Sequence, residues 1–540
     1  MERSAPPAVA PATVFHPAIR RVYAARLGSA DAADRFLAAD PLDLPQPSIL
    51  PSVAAAADRI EQALDRGERI AVFGHDDADG LTSAAVIVET LELLGASVDP
   101  YIPNRDAEGH GLYPELVRRF RARGASLLVT TDGCSTNATE VELGESLGLH
   151  VLVTDHHEIV ADRPLVPVLV NPKADARTNV TCGDLTGAGV ASLVARELLR
   201  RRLSDGADKK FFRLLDLVAL GTVADWGDLS RTNRTLVVQG LSAVARGNRP
   251  AVELARRALA IGPDAVLRRE KCERLAAVFA SIPSTEGRSH GLDALLTRST
   301  WAGDTQALLE QFLAAEKATA KAVEQVEAAA TEAGVFDGAP AVVRLPALDV
   351  RALGKAATRL AERTTRPAAV LAESQGKLIA ELRGPEGVHL VEVLSEMREL
   401  FESWGGHRTA AGFSAEPARA ADIEARLGTA FAAWPAPAPP PLVAEADVRR
   451  VDVDASFSRS IRAAMPFGRG NPSPVFRIAD YRDGGALLGG DESGHVTVDL
   501  IESGFPPRSE GRLPLVTFLP KGRGGLVVRF EGWAAGRRER

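Results

Sequence analysis

The segment RIAVFGHDDADG (residues 69–80) decides the fold, because it joins a short apolar run to a cluster of polar side chains. Its first half, residues 69–74, is typical of a strand buried in the middle of a parallel sheet. His75, Asp77 and Asp79 then follow on alternate positions. Alternate residues of an extended turn point the same way, so we expect these three side chains to converge.

The same pattern recurs further along the chain. Residues 126–131 (SLLVTT) end directly before Asp132, and residues 150–154 (HVLVT) end before Asp155, His156 and His157. A later apolar run, residues 217–224, ends at Asp225. Helical patterns separate the strand patterns, which predicts a doubly wound α/β domain whose site lies at the carboxyl ends of its strands.

Carboxylates that crowd at one sheet edge need neutralisation, because their mutual repulsion raises their pKa values or spreads the loops. Carboxylate and imidazole ligands without thiolates suit Mn²⁺ or Mg²⁺. Two such ions, about 3.5–4 Å apart, would clamp the attacking and leaving oxygens of a phosphoryl displacement. A single Asp-x-Asp pair is usually a solvated turn, and a single His-His pair usually lies in a core or on a surface. Four such clusters, each at a predicted strand end, favour a metal site.

The rest of the chain divides by composition. The pattern predicts six segments: an N-terminal extension (1–50), a first α/β catalytic domain (51–250), a helical connector (251–335), a second α/β domain (336–434), a proline-rich linker (435–442) and a glycine-rich β-barrel (443–540).

Composition sets the class of protein. The chain has 540 residues, 45% of them hydrophobic and 25% charged, which is typical of soluble globular domains. We expect no membrane span and no signal peptide, because long apolar runs are missing. Three widely spaced cysteines predict neither disulfides nor a zinc site and fit the cytoplasm. The net charge of −7 argues against a polyanion partner, but residues 443–540 carry +2, from 15 basic and 13 acidic residues.

Four motifs resemble those of the DHH phosphoesterase superfamily. They are GHDDADGLTSAAV (74–86), TTDGCSTN (130–137), VTDHHE (153–158) and LVALGTVADWGDL (217–229). GGHRTAAGF (405–413) resembles the GGH motif of the DHH-associated domain. YIPNRDAEGHG (101–111) and PFGRGNPSPVF (466–476) resemble segments of the RecJ-like branch of single-strand-specific exonucleases. The resemblance implies an α/β fold with a parallel-sheet DHH domain, a long connector helix, a second α/β DHH-associated domain and a C-terminal OB-fold β-barrel.

The resemblance also implies roles for individual residues. Asp155 would fix the tautomer of a histidine, and His157 would contact the scissile phosphate. Two divalent ions, Mn²⁺ or Mg²⁺, would be shared among the metal ligands His75, Asp77, Asp79, Asp132, His156 and Asp225, with Asp132 as the bridge. The substrate would contact Arg105, Arg288, Arg383, Gly405, Gly406 and His407. Glu381 and Gly384 replace the two serines that flank the family arginine, which leaves dependence on a 5′-phosphate open.

The implied function is hydrolysis of single-stranded DNA in the 5′→3′ direction to 5′-mononucleotides, in DNA repair and recombination. Single-stranded DNA is the expected partner, with a helicase and a single-strand-binding protein as further candidates. Phe530 and Trp533 interleave basic residues and could stack bases, although aromatic side chains of a small barrel usually form its core. Two alternatives stay open: a phosphodiesterase for short oligoribonucleotides or cyclic dinucleotides, and a non-catalytic replication scaffold.

Overall fold

The structure is a computed structural model that forms two compact units, one within residues 1–309 and 442–540 and the other within residues 310–441. It describes residues 15–104, 108, 111–159, 166–296, 303–374, 376–385, 387–406, 408–434, 443–479, 498–500, 514–521 and 525–533.

Helices make up most of the described regular structure, and the described helices α7 to α14 follow one another without a strand between them. The helices are α1 (Pro17–Leu27), α2 (Ala30–Ala38), α3 (Val53–Asp65), α4 (Ala78–Leu93), α5 (Pro114–Ala122), α6 (Ala138–Ser146), α7 (Ala176–Cys182), α8 (Gly187–Arg202), α9 (Ala207–Ala224), α10 (Thr232–Ala245), α11 (Pro250–Ala258), α12 (Arg269–Ala277), α13 (His290–Leu296), α14 (Gly303–Glu332), α15 (Leu353–Thr364), α16 (Leu390–Ser395), α17 (Ala420–Ala432) and α18 (Ala455–Ala464). The strands are β1 (Arg69–Phe73), β2 (Ser97–Tyr101), β3 (Ala125–Thr131), β4 (His150–Thr154), β5 (Leu169–Val170), β6 (Ala341–Arg344), β7 (Ala368–Ser374), β8 (Lys377–Arg383), β9 (Ser403–Gly406), β10 (Ala410–Ala415), β11 (Ala446–Val448), β12 (Phe476–Ile478), β13 (Val498–Leu500), β14 (Pro514–Lys521) and β15 (Gly525–Trp533).

The first sheet carries the predicted polar clusters. Its strands are all parallel and run in the order β2-β1-β3-β4-β5. Phe73 and Leu128 face a core that includes Phe120 of α5 and Val141 of α6. Helices α4, α8 and α9 pack against one another, with most of their residues buried. The predicted parallel α/β domain is therefore confirmed, and its apolar strand runs reflect burial on both faces.

The C-terminal strands form a second sheet in the same unit, in the order β11-β12-β14-β15-β13. Phe476 and Phe518 of this sheet pack in a common core with Phe457 of α18. Ile19 and Tyr23 of α1 enter that core from the other end of the sequence. Within the described residues the sheet is open, with β11 and β13 at its edges, so the predicted closed barrel is not confirmed.

The second unit is built on a mixed sheet. Strands β6 and β7 are parallel, and the other neighbours in the order β6-β7-β8-β10-β9 are antiparallel. One face packs on α15 and the end of α14, and the other packs on α16 and α17. Helix α14 lies within the predicted helical connector, residues 251–335. The predicted linker, residues 435–442, lies outside the described residues.

None of the helices that the structure describes is long and apolar enough to span a membrane.

Candidate metal centre

The turn from β1 into α4 fixes the first two candidate ligands. Asp77 caps α4, since its Oδ1 accepts a hydrogen bond from the backbone N–H of Gly80 at 2.9 Å. Its Oδ2 lies 3.0 Å from Nδ1 of His75. A side chain at Gly80 would place its Cβ 2.3 Å from the Cβ of His75. Only glycine therefore lets this turn close and hold the two side chains together.

Asp79 lies in the first turn of α4, and its buried carboxylate contacts the N-terminus of α8. Its Oδ2 accepts a hydrogen bond from the N–H of Gly187 at 2.7 Å, and its Oδ1 accepts one from Ala188 at 3.0 Å. A helix N-terminus favours negative charge, so α8 holds this carboxylate in place. A Cβ at Gly187 would lie 2.6 Å from Oδ1 of Asp132, and one at Gly221 would lie 2.5 Å from Oδ1 of Asp79. Both glycines make room for the carboxylates.

His156 lies at the centre of the other carboxylates. Its Nε2 lies 3.0 Å from Asp132 Oδ1, 3.9 Å from Asp79 Oδ2 and 3.8 Å from Asp225 Oδ2. Asp132 follows β3 with a φ of 58°, and Asp225 caps the end of α9. Four separate elements therefore bring one side chain each to the same point of the sheet edge.

Asp155 has a different environment, because it accepts hydrogen bonds from three backbone N–H groups and contacts the ring of His157. Its Oδ1 accepts from the N–H groups of His156 and His157 at 2.6 and 3.1 Å and lies 2.8 Å from Nδ1 of His157. Its Oδ2 accepts from the N–H of Ser135 at 3.1 Å. Burial opposes ionisation, but the hydrogen bond and charge of His157 hold the pKa of Asp155 below its ordinary value. Asn171 completes the support by donating to Ser135 Oγ and the His157 carbonyl, both at 3.0 Å.

The neighbouring carboxyl groups show the opposite shift. Burial and the charges of the other acids raise the pKa values of Asp79 and Asp132 well above their ordinary range. Burial and the charge of Asp77 also raise the pKa of Asp225. Burial alone would lower the pKa of His75, yet the hydrogen bond and charge of Asp77 raise it to about 9. The cluster therefore favours bound positive charge.

The donor atoms suit divalent cations. Asp132 Oδ1 is buried and makes no hydrogen bond, although it lies 3.0 Å from His156 Nε2. Mn²⁺ accepts both carboxylate oxygen and imidazole nitrogen as ligands, whereas Mg²⁺ prefers oxygen. Three overlapping groups have one donor atom per residue within 4.8 Å of one another: His75, Asp77 and Asp132; Asp132, His156 and His157; and Asp79, His156 and Asp225.

A cavity of about 330 Å³ opens beside these ligands. Asp77, Asp79 and Asp225 line it, together with Trp226 and Glu273. Its volume is in the range of small-molecule sites, roughly 300–1,000 Å³.

The predicted substrate residues lie elsewhere in their units. Arg288 pairs with Asp293 at 2.9 Å and lines a separate cavity of about 290 Å³. In the second unit, Arg383 donates to Oε2 of Glu381 at 2.7 Å. Gly405 and Gly406 are exposed on β9. Arg105 and His407 fall outside the residues that the structure describes.

Sequence reasoning missed several supporting residues. The amides of Gly187 and Ala188 bind Asp79 across more than 100 positions of sequence. The segment TGAGV, which opens α8, carries the usable signal, since small residues at a helix N-terminus allow close approach of an anion. The Ser135 and Asn171 contacts to Asp155 and His157 had no comparable signal.

Family profiles match two parts of the chain. Residues 69–222 match the N-terminal domain of the DHH family, and residues 338–433 match the DHHA1 domain.

Two curated relatives and one solved protein are similar over most of this chain. The single-stranded-DNA-specific exonuclease RecJ of Bacillus subtilis is 34% identical over 408 residues, which cover 74% of this chain but only 50% of that protein. RecJ of Escherichia coli is 32% identical over 495 residues, covering 85% of this chain and 83% of that protein. RecJ of Thermus thermophilus in complex with Mn²⁺ matches with a TM-score of 0.72 and 25% identity, over 97% of this chain and 79% of that one. Its complex with Mg²⁺ matches with a TM-score of 0.67 and 26% identity, over 97% and 78%. The chain belongs to the RecJ family.

Proposed function

We propose that this protein is a metal-dependent exonuclease that degrades single-stranded DNA from its 5′ end and releases 5′-mononucleotides, in DNA repair and recombination. The three overlapping groups of metal-ligand atoms at the sheet edge carry the proposal. The relatives named as single-stranded-DNA-specific exonucleases support the choice of substrate. The chain spans about half of the Bacillus subtilis relative, so the activity is proposed for the part present here.

The six predicted ligands divide into two sets that share Asp132. His75 and Asp77 would hold one cation with it, and Asp79, His156 and Asp225 would hold the other. When bound, divalent cations polarise phosphoryl oxygens and lower the pKa of water. The α8 amides keep Asp79 in place, and the Gly80 turn keeps His75 and Asp77 in place.

His157 would contact the scissile phosphate. Asp155 binds Nδ1 of His157 and thereby fixes the orientation of its ring. The ring of His156 lies beside it, with 4.6 Å between the ring centroids. A positioned imidazole can donate a hydrogen bond or a proton to a phosphate oxygen, which assists the leaving group.

The domain organisation, the cell compartment and the protein partners are part of the same proposal. The six segments predicted from composition would be the functional domains, with residues 443–540 as an OB-fold that binds the DNA strand. Helix α18 packed on the strands of the C-terminal sheet supports that view. The protein would act in the cytoplasm, with a helicase and a single-strand-binding protein as partners at its DNA ends.

Digestion of end-labelled oligonucleotides tests the proposal. Single-stranded DNA labelled at the 5′ end should release labelled mononucleotide at once in Mn²⁺ or Mg²⁺, whereas a 3′ label should stay in shortening products. Duplex DNA and single-stranded RNA of the same sequence serve as matched controls.

Other outcomes would support the alternatives. Cleavage of a cyclic dinucleotide or a short oligoribonucleotide without digestion of long DNA would identify a small-substrate phosphodiesterase. Strand binding without any cleavage would identify a scaffold.

A further inference from the structure

Trp226 follows the candidate ligand Asp225 and has an unusual environment for its size. Its side chain is 54% exposed, although tryptophan is usually mostly buried. It also lines the cavity of about 330 Å³ that contains Asp77, Asp79 and Asp225. An exposed aromatic ring beside a cluster of metal-binding side chains is available to contact a bound molecule.

The backbone at this position supports a functional reading. Trp226 has a φ of 58°, in the left-handed region that a bulky side chain rarely adopts. Such strain costs roughly 1–3 kcal/mol and persists where the surroundings hold it. Here the conformation turns the indole from the end of α9 into the cavity wall.

Arg269 and its neighbours hold the indole in place. The guanidinium carbon of Arg269 lies 3.4 Å from the centroid of the Trp226 ring, and its Nε donates to Glu273 at 2.6 Å. A Cβ at Gly468 would lie 3.0 Å from Arg269 Nη1, so the loop before β12 packs closely behind the guanidinium. One face of the indole is thus covered by a fixed cation, which strengthens the ring as a stacking surface.

That loop also contacts the backbone that follows Trp226. The N–H of Leu229 donates to the carbonyl of Arg469 at 2.8 Å. A Cβ at Gly470 would lie 2.0 Å from Oδ1 of Asp228, so only glycine permits this contact. The segment PFGRGNPSPVF (466–476) therefore supports the wall of the cavity.

The lining of the cavity combines two chemistries that match a nucleotide. It includes carboxylates suited to cations, and it includes Trp226 with the small apolar residues Ala277 and Ala280. A phosphate bound through cations fits the carboxylates, and a flat aromatic base fits the indole. We propose that Trp226 stacks against the nucleobase next to the scissile phosphate, an inference that rests on the proposed function.

Trp226→Ala tests the contact, with Trp226→Phe as the variant that keeps a stacking ring. Binding of a fluorescently labelled oligodeoxynucleotide is measured by anisotropy in EDTA, and KM and kcat are measured in Mn²⁺. Stacking is worth enough that Trp226→Ala should weaken binding and raise KM about tenfold. Trp226→Phe should stay within about threefold of the parent protein.

A series of oligonucleotides that each lack one base near the 5′ end tests the assignment independently. Removal of the stacked base should weaken binding to the parent protein about tenfold and leave binding to Trp226→Ala unchanged. Leu42→Ala truncates another exposed apolar residue, 90% exposed, and serves as the control that should resemble the parent. Thermal unfolding of each variant checks its folding.

The two proposals can fail separately. Trp226→Ala with unchanged affinity and KM, or with the same sensitivity to the missing base as the parent, would overturn the stacking contact. A parent protein that digests no DNA but binds it with the same base dependence would overturn the proposed activity and leave the contact standing.

Discussion

Helices α4 and α9 carry two acidic clusters, one at each end of their contact, and the clusters differ in how their charge is balanced. At one end Asp79 and Asp225 join the candidate metal centre. About ten residues away on the same helices, Glu89 and Asp216 surround Arg249. Ten helical residues span about 15 Å, so the two clusters are separate sites.

The second cluster contains its own cation. Arg249 donates to both oxygens of Asp216 at 2.9 and 3.1 Å, to Glu89 at 3.0 Å and to the carbonyl of Leu295. Burial alone would lower the pKa of Arg249, but the charges of Asp216 and Glu89 raise it. In the first cluster burial and repulsion raise the pKa values of Asp79 and Asp132 instead. An acidic cluster that contains an arginine has its charge balanced within the fold, whereas one whose carboxyl pKa values are raised is suited to bind cations.

Asp132→Asn should give the largest effect and separates the two kinds of cluster. Loss of the proposed shared ligand should remove several kcal/mol of transition-state stabilisation, about a thousandfold or more in rate. The metal-free variant should be at least as stable as the parent, because a buried repulsive charge is gone, and Mn²⁺ should no longer raise its Tm. Mononucleotide release and Tm with and without Mn²⁺ measure both. Asp205→Asn, an exposed acid, is the matched control; activity near that of the control would disprove the shared-ligand role.

Arg249→Met should destabilise the fold by about 3–5 kcal/mol, because it leaves two buried carboxylates without their cation. Urea unfolding measures the free energy, and Mn²⁺-dependent rates per folded molecule should change little. Arg257→Met on α11 removes an arginine whose side chain is 75% exposed and should cost less than about 1 kcal/mol. Equal costs for the two variants would remove the distinction between the clusters.

Asp184 lies between these two cases, because it is buried and Nε of Arg231 lies 3.9 Å from its Oδ1. Its Oδ2 accepts from the N–H of Asn233 at 3.0 Å, and burial raises its pKa to about 6. Because the pKa of Asp184 is raised in the folded state, the free energy of unfolding is highest below pH 3.8 and falls as the pH rises to about 6. At pH 7.5 the free energy of unfolding of Asp184→Asn, measured with urea, should therefore be about 1–3 kcal/mol higher than that of the parent. At pH 4 the two proteins should differ little. The same difference at both pH values would show that charge is not the cause.

Glu381→Ser should have the smallest effect, since its pair with Arg383 is only half-buried. Release of Arg383 from Glu381 should raise the preference for a 5′-phosphorylated end over a 5′-hydroxyl end about threefold. Competition between the two oligonucleotides measures the ratio. Glu402→Ser removes the partner of Lys377 on the same sheet and should leave the ratio unchanged. An unchanged ratio in Glu381→Ser would mean that Arg383 does not read the DNA end.

The sequence pattern was sufficient for the parallel sheet and for the acids that follow its strands, because both depend on local order along the chain. Asp132 and His156 could be predicted to meet, since parallel strands end at one edge. Asp225 was expected at a strand end but ends helix α9, so that argument does not account for its position. The α8 amides that bind Asp79, the Trp226–Arg269 contact and the packing of α1 on the C-terminal sheet could not be predicted. Each of these joins residues from distant segments, and no periodicity or spacing signals such a pair.

The core shared by α1, α2 and the C-terminal sheet has a consequence for how the protein is made. The N–H of His16 donates to Oγ of Ser460, 444 positions later, and Tyr23 donates to Asn471 in the same core. Ribosomes add about 5–20 residues per second, so the first helices wait roughly 20–90 seconds for their partners. During synthesis the apolar face of α1 therefore has only α2 as native cover, through contacts such as that of Tyr23 with Phe36, and a chaperone that binds nascent chains would find a target there.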